Sequence, residues 1–374
     1  MMMWQKGTLA DLLEDRVVYR NLEPMQPGMC GLRTAWDKVG LDHYYVPRKT
    51  APEYAMVLLH YLRQAQAMRG VAAPLERLLF IGDTLLLDGS AACNIGQHLP
   101  LKGFIGADRL REPAKVEIQG ELMVANRWAA LADFVAWLEA GSFGCDERMA
   151  LLLDLDKTSL GARGRNDKVI DDARVQAIQR TMRATLGARF DEAAFRSLYD
   201  ALNVPKYHPF TADNQDYLAY VCLMVMGGAY TAGELWHDLQ GGTLTAIHQF
   251  VERCETRRSA LPAALLAAHD EVRQGIAAED PTPFKAFRRR EYVETVSRMD
   301  VLPGDADEAA VLSREIVITA EVAGLARYMA ERGSLVYGLS DKPDEASLPT
   351  PEYAARGYRP LHRTVMKIYG QLLL

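Results

Sequence analysis

Two short apolar runs end on carboxylates, and no other feature limits the possible folds as much. "RLLFIG" (77–82) stops at Gly82 and is followed by Asp83, Asp88 and the small-residue stretch "GSAACNIG". "MALLLDLD" (149–156) ends in Asp154 and Asp156. Short runs that are apolar throughout are strands buried on both faces, as in a parallel sheet covered by helices. Parallel neighbours need a crossover of roughly a dozen residues or more, usually a helix. The chain supplies such segments in "APEYAMVLLHYLRQAQAM", "ANRWAALADFVAWLEAG" and "TAEVAGLARYMAERG", each with apolar residues at helical spacing. Further strands are expected at "HYYV", "KGFIGA" and "SLVYGLS".

Between 166 and 312 the pattern changes to helices alone, among them "DDARVQAIQRTMRATLG", "NQDYLAYVCLMVMGG" and "PAALLAAHDEVRQGI". The expected fold is therefore α/β: a doubly wound parallel sheet with an inserted all-helical block. The expected division is 1–165, 166–312 and 313–374. A length of 374 residues agrees with two domains, or one with a large insertion. The net charge of −6 argues against a nucleic-acid partner. No apolar run approaches the ~20 residues that span a bilayer, so no membrane association is expected. The N-terminus turns acidic too early for a signal peptide. The five cysteines are scattered without CxxC spacing, which favours a reducing, cytoplasmic location over a zinc site or disulfide framework. The apolar "YLAYVCLMVMGG" leaves a homodimer open. Neither GxxxxGK[ST] nor GxGxxG occurs, which lowers the prospect of an ATP-driven or NAD enzyme.

Residues two apart near a strand end point to the same side, so Asp154 and Asp156 can converge. Adjacent carboxylates repel unless a cation or a shared proton separates them. That suits Mg²⁺ and phosphoryl transfer, although a DxD also caps turns. Asp83 and Asp88 form a second acidic pair. Lys49 lies just before a helix, and Ser340 ends the strand "LVYGLS". "GARGRNDK", after Asp154, contains Arg163 and Arg165; beside a phosphoryl site they could grip an anionic group, while the default for such a stretch is a solvated basic loop.

Together these pieces resemble the haloacid dehalogenase (HAD) superfamily of phosphatases and phosphotransferases. "LLLDLDKT" resembles the family's DxDxT motif, and "LVYGLSDKPDEA" its second motif, a strand ending in Ser or Thr. "RKTAPEYAMVLLHYL" resembles the third motif, a Lys leading into a helix. "LLFIGDTLLLDGSAACNIG" resembles the fourth. The chain order is third, fourth, first, helical block, second, which reads as a circular permutation. An open α/β sheet tolerates this, because its site assembles at the carboxyl strand ends whatever the chain order. The resemblance implies a HAD-like Rossmannoid core with a helical cap, a Mg²⁺ cofactor and a small phosphorylated metabolite as substrate. It implies Asp154 as nucleophile and Mg²⁺ ligand, and Asp156 as general acid/base with its carbonyl on the metal. Asp83 and Asp88 would complete the metal site, and Lys49 and Ser340 would hold phosphoryl oxygens. Arg48 or Lys342 could replace Lys49. Thr158 ends the first motif, and Lys157 stands where many members have Gly. A phosphomutase, or a HAD-like scaffold that binds without turnover, is the alternative; dehalogenation fits less well, since it needs no proton donor at Asp156.

Overall fold

The computed structural model describes residues 3–371. It divides into two compact units, residues 1–172 with 295–374, and residues 173–294.

The first unit is α/β and Rossmann-like. Its seven-stranded sheet uses β2 (Val17–Val18), β3 (Arg77–Gly82), β4 (Leu101–Gly106), β5 (Val116–Gln119), β6 (Leu122–Ala125), β7 (Met149–Asp154) and β9 (Leu335–Leu339). The spatial order is β2-β9-β7-β3-β4-β6-β5, parallel throughout except for the β5–β6 pair at one edge. A separate small sheet joins β1 (Lys6–Gly7), β10 (Met366–Tyr369) and β8 (Ile318–Thr319).

All six residues of β7 are buried, which explains its unbroken apolar run. On one face Phe80, Leu152 and Tyr337 pack against Val57, Leu58, Tyr61 and Leu62 of the helix Pro52–Met68. On the other, the helix Leu131–Ala140 packs on β4, with Phe134 edge-on to Phe104, and the helix Ala320–Glu331 packs on β9. Helices thus cover both faces.

The register brings the motif strands level. Ile81 pairs with Leu153, and Asp154 with Leu339. β3 ends at Gly82, β7 at Asp154 and β9 at Leu339, so Asp83 and Ser340 follow at the same edge.

Two features depart from the sequence expectation. "HYYV" has no strand partner and runs as irregular chain. The hairpin β5–β6 was not expected; Gly120, at φ +62°, makes its tight turn. The chain therefore leaves β4 through this hairpin before the helix Leu131–Ala140 returns it to β7.

The helical unit is shorter at both ends than 166–312. Residues from 295 onward are tied to the sheet unit by specific bonds. Trp4 donates from N to Gly304 O (2.8 Å) and from Nε1 to Ala306 O (2.8 Å). Lys367, fully buried, pairs with Glu315 (2.8 Å) and Asp300 (3.0 Å). Asn166 Nδ2 donates to the carbonyls of Leu312 and Glu315. Within the helical unit, the helix Gln215–Met226 is buried almost throughout, around Phe195, Phe250, Leu265 and Val272. There Arg288 bridges the buried carboxylates of Asp216 and Glu291 at 2.6 Å each.

Candidate functional site

Asp154 ends β7 with its carboxylate buried, and three local partners fix it. Thr158 Oγ1 donates to Oδ2 (2.8 Å), Lys49 Nζ donates to Oδ1 (2.6 Å), and Ser159 Oγ donates to the Asp154 carbonyl (2.7 Å). The turn that brings Thr158 back passes through Lys157 at φ +64°. That left-handed conformation is one glycine adopts readily and other residues adopt rarely. Lys157 is held there by Asp171, 2.9 Å away.

Beyond β3 the chain folds back on itself. Asp88 Oδ2 accepts from Asp83 N (3.0 Å), Thr84 N (2.9 Å) and Thr84 Oγ1 (3.0 Å). A Cβ at Gly82 would stand 2.4 Å from Asp88 Cβ and Cγ, so this close return requires glycine. Asp88 Oδ1 is paired with the Lys49 ammonium, whose Nζ stands 2.5 Å away. Lys49 is only 3% exposed. It enters on the tight turn before the helix Pro52–Met68, whose Pro52 starts the first turn. Its neighbour Arg48 is exposed. Of the two, Lys49 is therefore the inward cation.

Asp83, Asp88 and Asp154 each offer a carboxylate oxygen, and these oxygens lie within 4.8 Å of one another. Arg163 Nε donates to Asp83 Oδ2. The Arg163 backbone is pinned, because its carbonyl accepts from Asp108 N (2.8 Å) and Trp128 Nε1 (3.2 Å). Asp156 is partly exposed, and its Oδ1 lies 4.0 Å from Lys342 Nζ. Its side chain is not one of the three converging carboxylates. Ser340 and Lys342 are both buried beyond β9, where Ser340 Oγ accepts from Lys342 N (3.0 Å).

Arg165 lies differently from Arg163. It forks onto Glu321 with two bonds of 2.9 Å and donates from Nε to Asp108 Oδ2 (2.7 Å). Glu321 is buried. The guanidinium is thus engaged as a structural strut, and it lines a separate cavity of about 980 Å³ with Trp4 and Tyr369.

The electrostatics follow from burial. Burial raises the Asp154 pKa well above the usual range; Lys49 opposes this, while Asp88 and Asp83 add to it. Burial and the Asp88 charge push Asp83 up to about 7 against the pull of Arg163. Burial would raise Asp88 as well, but Lys49 and the Thr84 N–H hold it below its ordinary value. Burial would discharge Lys49, and Asp154 and Asp88 outweigh it, keeping the ammonium charged. Three carboxylates face two cations. Three carboxylates with oxygens within 4.8 Å of one another form an all-oxygen donor set, which fits a hard divalent cation.

Two contributors escaped the sequence reading. Thr84 locks Asp88, and its signal was the Thr directly after Gly-Asp. Asp108, which follows β4 in "FIGAD", holds the Arg163–Arg165 loop through Arg165 and Trp128 N. It is a third carboxylate just past a parallel strand, and the same pattern could have revealed it. No helix among the described residues is long and apolar enough to cross a membrane. No protein-family model, curated protein or solved structure matches this chain.

Proposed function

We propose that the chain is a Mg²⁺-dependent phosphohydrolase of the HAD type, acting through an aspartyl-phosphate on a small phosphorylated metabolite. The observation that carries this is the convergence of Asp83, Asp88 and Asp154, with oxygens within 4.8 Å of one another and with Asp88 and Asp154 both paired to the buried Lys49. In this proposal Asp154, Asp83 and the Asp156 carbonyl hold Mg²⁺, and Asp88 supports them. When bound, the ion neutralises the carboxylates and draws charge from the phosphoryl oxygens.

Lys49 and Thr158 each take one Asp154 oxygen, which fixes the carboxylate plane. Each oxygen has a second lone pair, so a nucleophilic pair remains. Asp154 attacks phosphorus, the bond to the ester oxygen breaks, and protonated Asp156 gives that oxygen its proton. Asp156 then takes a proton from water as the water attacks the aspartyl-phosphate, which releases inorganic phosphate and restores Asp154. Asp156 is partly open to solvent, and its Oδ1 lies 4.0 Å from Lys342 Nζ. Ser340 and Lys49 grip phosphoryl oxygens.

The test is Mg²⁺-dependent phosphate release across a broad ester panel, by wild type and Asp154→Asn. Release that needs both Mg²⁺ and Asp154 is expected. No release from any ester with Mg²⁺ present would end the proposal.

A further inference from the structure

Between Asp83 and Asp88 the chain exposes three consecutive leucines. Leu85, Leu86 and Leu87 are 45%, 76% and 38% exposed. They lie in a single π-helical turn, Leu85–Gly89, a local form frequent at functional sites. The turn closes through Asp88 N and Gly89 N, which donate to Thr84 O at 2.9 and 3.1 Å. Asp88 must fold back to reach Asp83 N and Thr84 N, and that return pushes 85–87 outward.

The backbone explains why these positions face out. It does not explain why they are leucine. A polar residue at 86 would satisfy the same bonds, whereas leucine there leaves unburied an apolar surface whose removal from water is worth about 25 cal/mol per Å². A single exposed leucine is ordinary, but a run of three is not. This run is clamped at both ends by members of the carboxylate cluster. Leu85 also shares the space over Gly89 with the buried Leu122, so the apolar surface continues into the sheet.

The two neighbouring surfaces therefore ask for different chemistry. The cluster offers charged and hydrogen-bonding groups, which suit a phosphoryl end. The leucines offer apolar contact alone. We propose that Leu85, Leu86 and Leu87 seat the leaving group of the substrate, and that this group is apolar: a phosphomonoester of an alkyl or aryl alcohol. A sugar phosphate would leave its hydroxyls against leucine without partners. The assignment rests on the phosphohydrolase reading.

The experiment compares n-alkyl phosphates from ethyl to hexyl, which share one leaving-group chemistry and differ in apolar length. kcat/KM is measured with Mg²⁺ for the full-length wild type and for Leu86→Ser. Leu86 is largely exposed, so this variant keeps its fold. Four added methylenes, each partly buried, should raise kcat/KM by roughly tenfold or more in wild type. The hexyl-to-ethyl ratio should fall several-fold in Leu86→Ser. A flat series in wild type, or a ratio unchanged in Leu86→Ser, overturns the apolar assignment while hydrolysis of ethyl phosphate keeps the enzyme reading. No turnover of any alkyl member, with release from other phosphate esters, overturns the apolar assignment and keeps the enzyme reading; no release from any ester ends both. If Leu86→Ser instead converts an oligomer into a monomer with the ratio unchanged, the leucines serve a second copy of the chain and the proposal is wrong.

Discussion

Lys49 Nζ lies 2.6 Å from Asp154 Oδ1 and 2.5 Å from Asp88 Oδ1, and all three residues are buried. One ammonium thus holds together two carboxylates that arrive on different strand ends. Replacing it with the neutral Lys49→Met removes the charge and keeps the bulk. Breaking a buried ion pair from one side costs about 3–5 kcal/mol, since the remaining charge stays desolvated. Urea denaturation in EDTA should show a loss of that order. Saturating Mg²⁺ should return part of it, because the ion supplies the missing positive charge. A loss in EDTA below about 1 kcal/mol would mean Lys49 does not organise the cluster.

Asp83 gives a pH signature. Its folded pKa is raised to about 7 from an ordinary 3.8, by burial first and the Asp88 charge second. Between these values the folded state binds more protons than the unfolded one, so this contribution to stability falls as pH rises. It is fully present below about pH 4 and lost by passage through pH 7. In EDTA, Asp83→Asn should therefore gain on wild type as pH goes from 4 to 8. Mg²⁺ competes with the same proton, so its apparent affinity for wild type should rise across that interval. A wild type that gains on Asp83→Asn with rising pH would contradict the raised pKa.

Arg163 and Arg165 look equivalent in "GARGR", and the structure separates them. Arg165 is spent on Asp108 and the buried Glu321. Arg165→Ala should lower stability by about 3–5 kcal/mol, by stranding Glu321. Its effect on KM, measured on the folded fraction, should be small. Arg163→Ala should do the reverse, altering KM and Mg²⁺ affinity through Asp83 with a modest stability change. Calorimetry and steady-state kinetics on the two variants decide this. A large KM effect from Arg165→Ala with unchanged melting would reinstate it as a substrate ligand.

This pair also shows where sequence stops being legible. The strands β3, β7 and β9 were readable because burial on both faces leaves an unbroken apolar run. Their closing residues could be placed at one edge because parallel strands share a direction. The partner of each charge was not readable. Glu321 is far from Arg165 in sequence, and only the three-dimensional register of β10 and the helix Ala320–Glu331 brings it near. The hairpin β5–β6 was missed although "VEIQ" alternates apolar and polar residues: the run is only four residues long and every one of them is exposed, so no buried face sets it apart from the surrounding loop. "HYYV" misled in the opposite direction: its aromatic, β-branched composition favours a strand, but no neighbouring edge takes it.

Asp154 and Asp156 should differ in kind when replaced. In the phosphohydrolase reading, Asp154→Asn removes the nucleophile along with a converging carboxylate, so turnover of every ester should vanish. Asp156 is not in that cluster; its assigned task is to protonate the departing oxygen. The need for that proton depends on the leaving group. An aryl phosphate such as 4-nitrophenyl phosphate expels a stable phenolate unaided, whereas an alkyl phosphate must leave as the alcohol. Asp156→Asn should therefore depress the phosphoryl-transfer step for an alkyl ester by ~10²–10⁴-fold and for the aryl ester much less. Hydrolysis of the aspartyl-phosphate also uses Asp156 as base, so the aryl ester should give a burst of phenolate followed by slow turnover. Rapid-quench measurement of that burst separates the two steps. Equal loss on both esters, without a burst, would remove Asp156 from proton transfer and leave it a structural role beside Lys342.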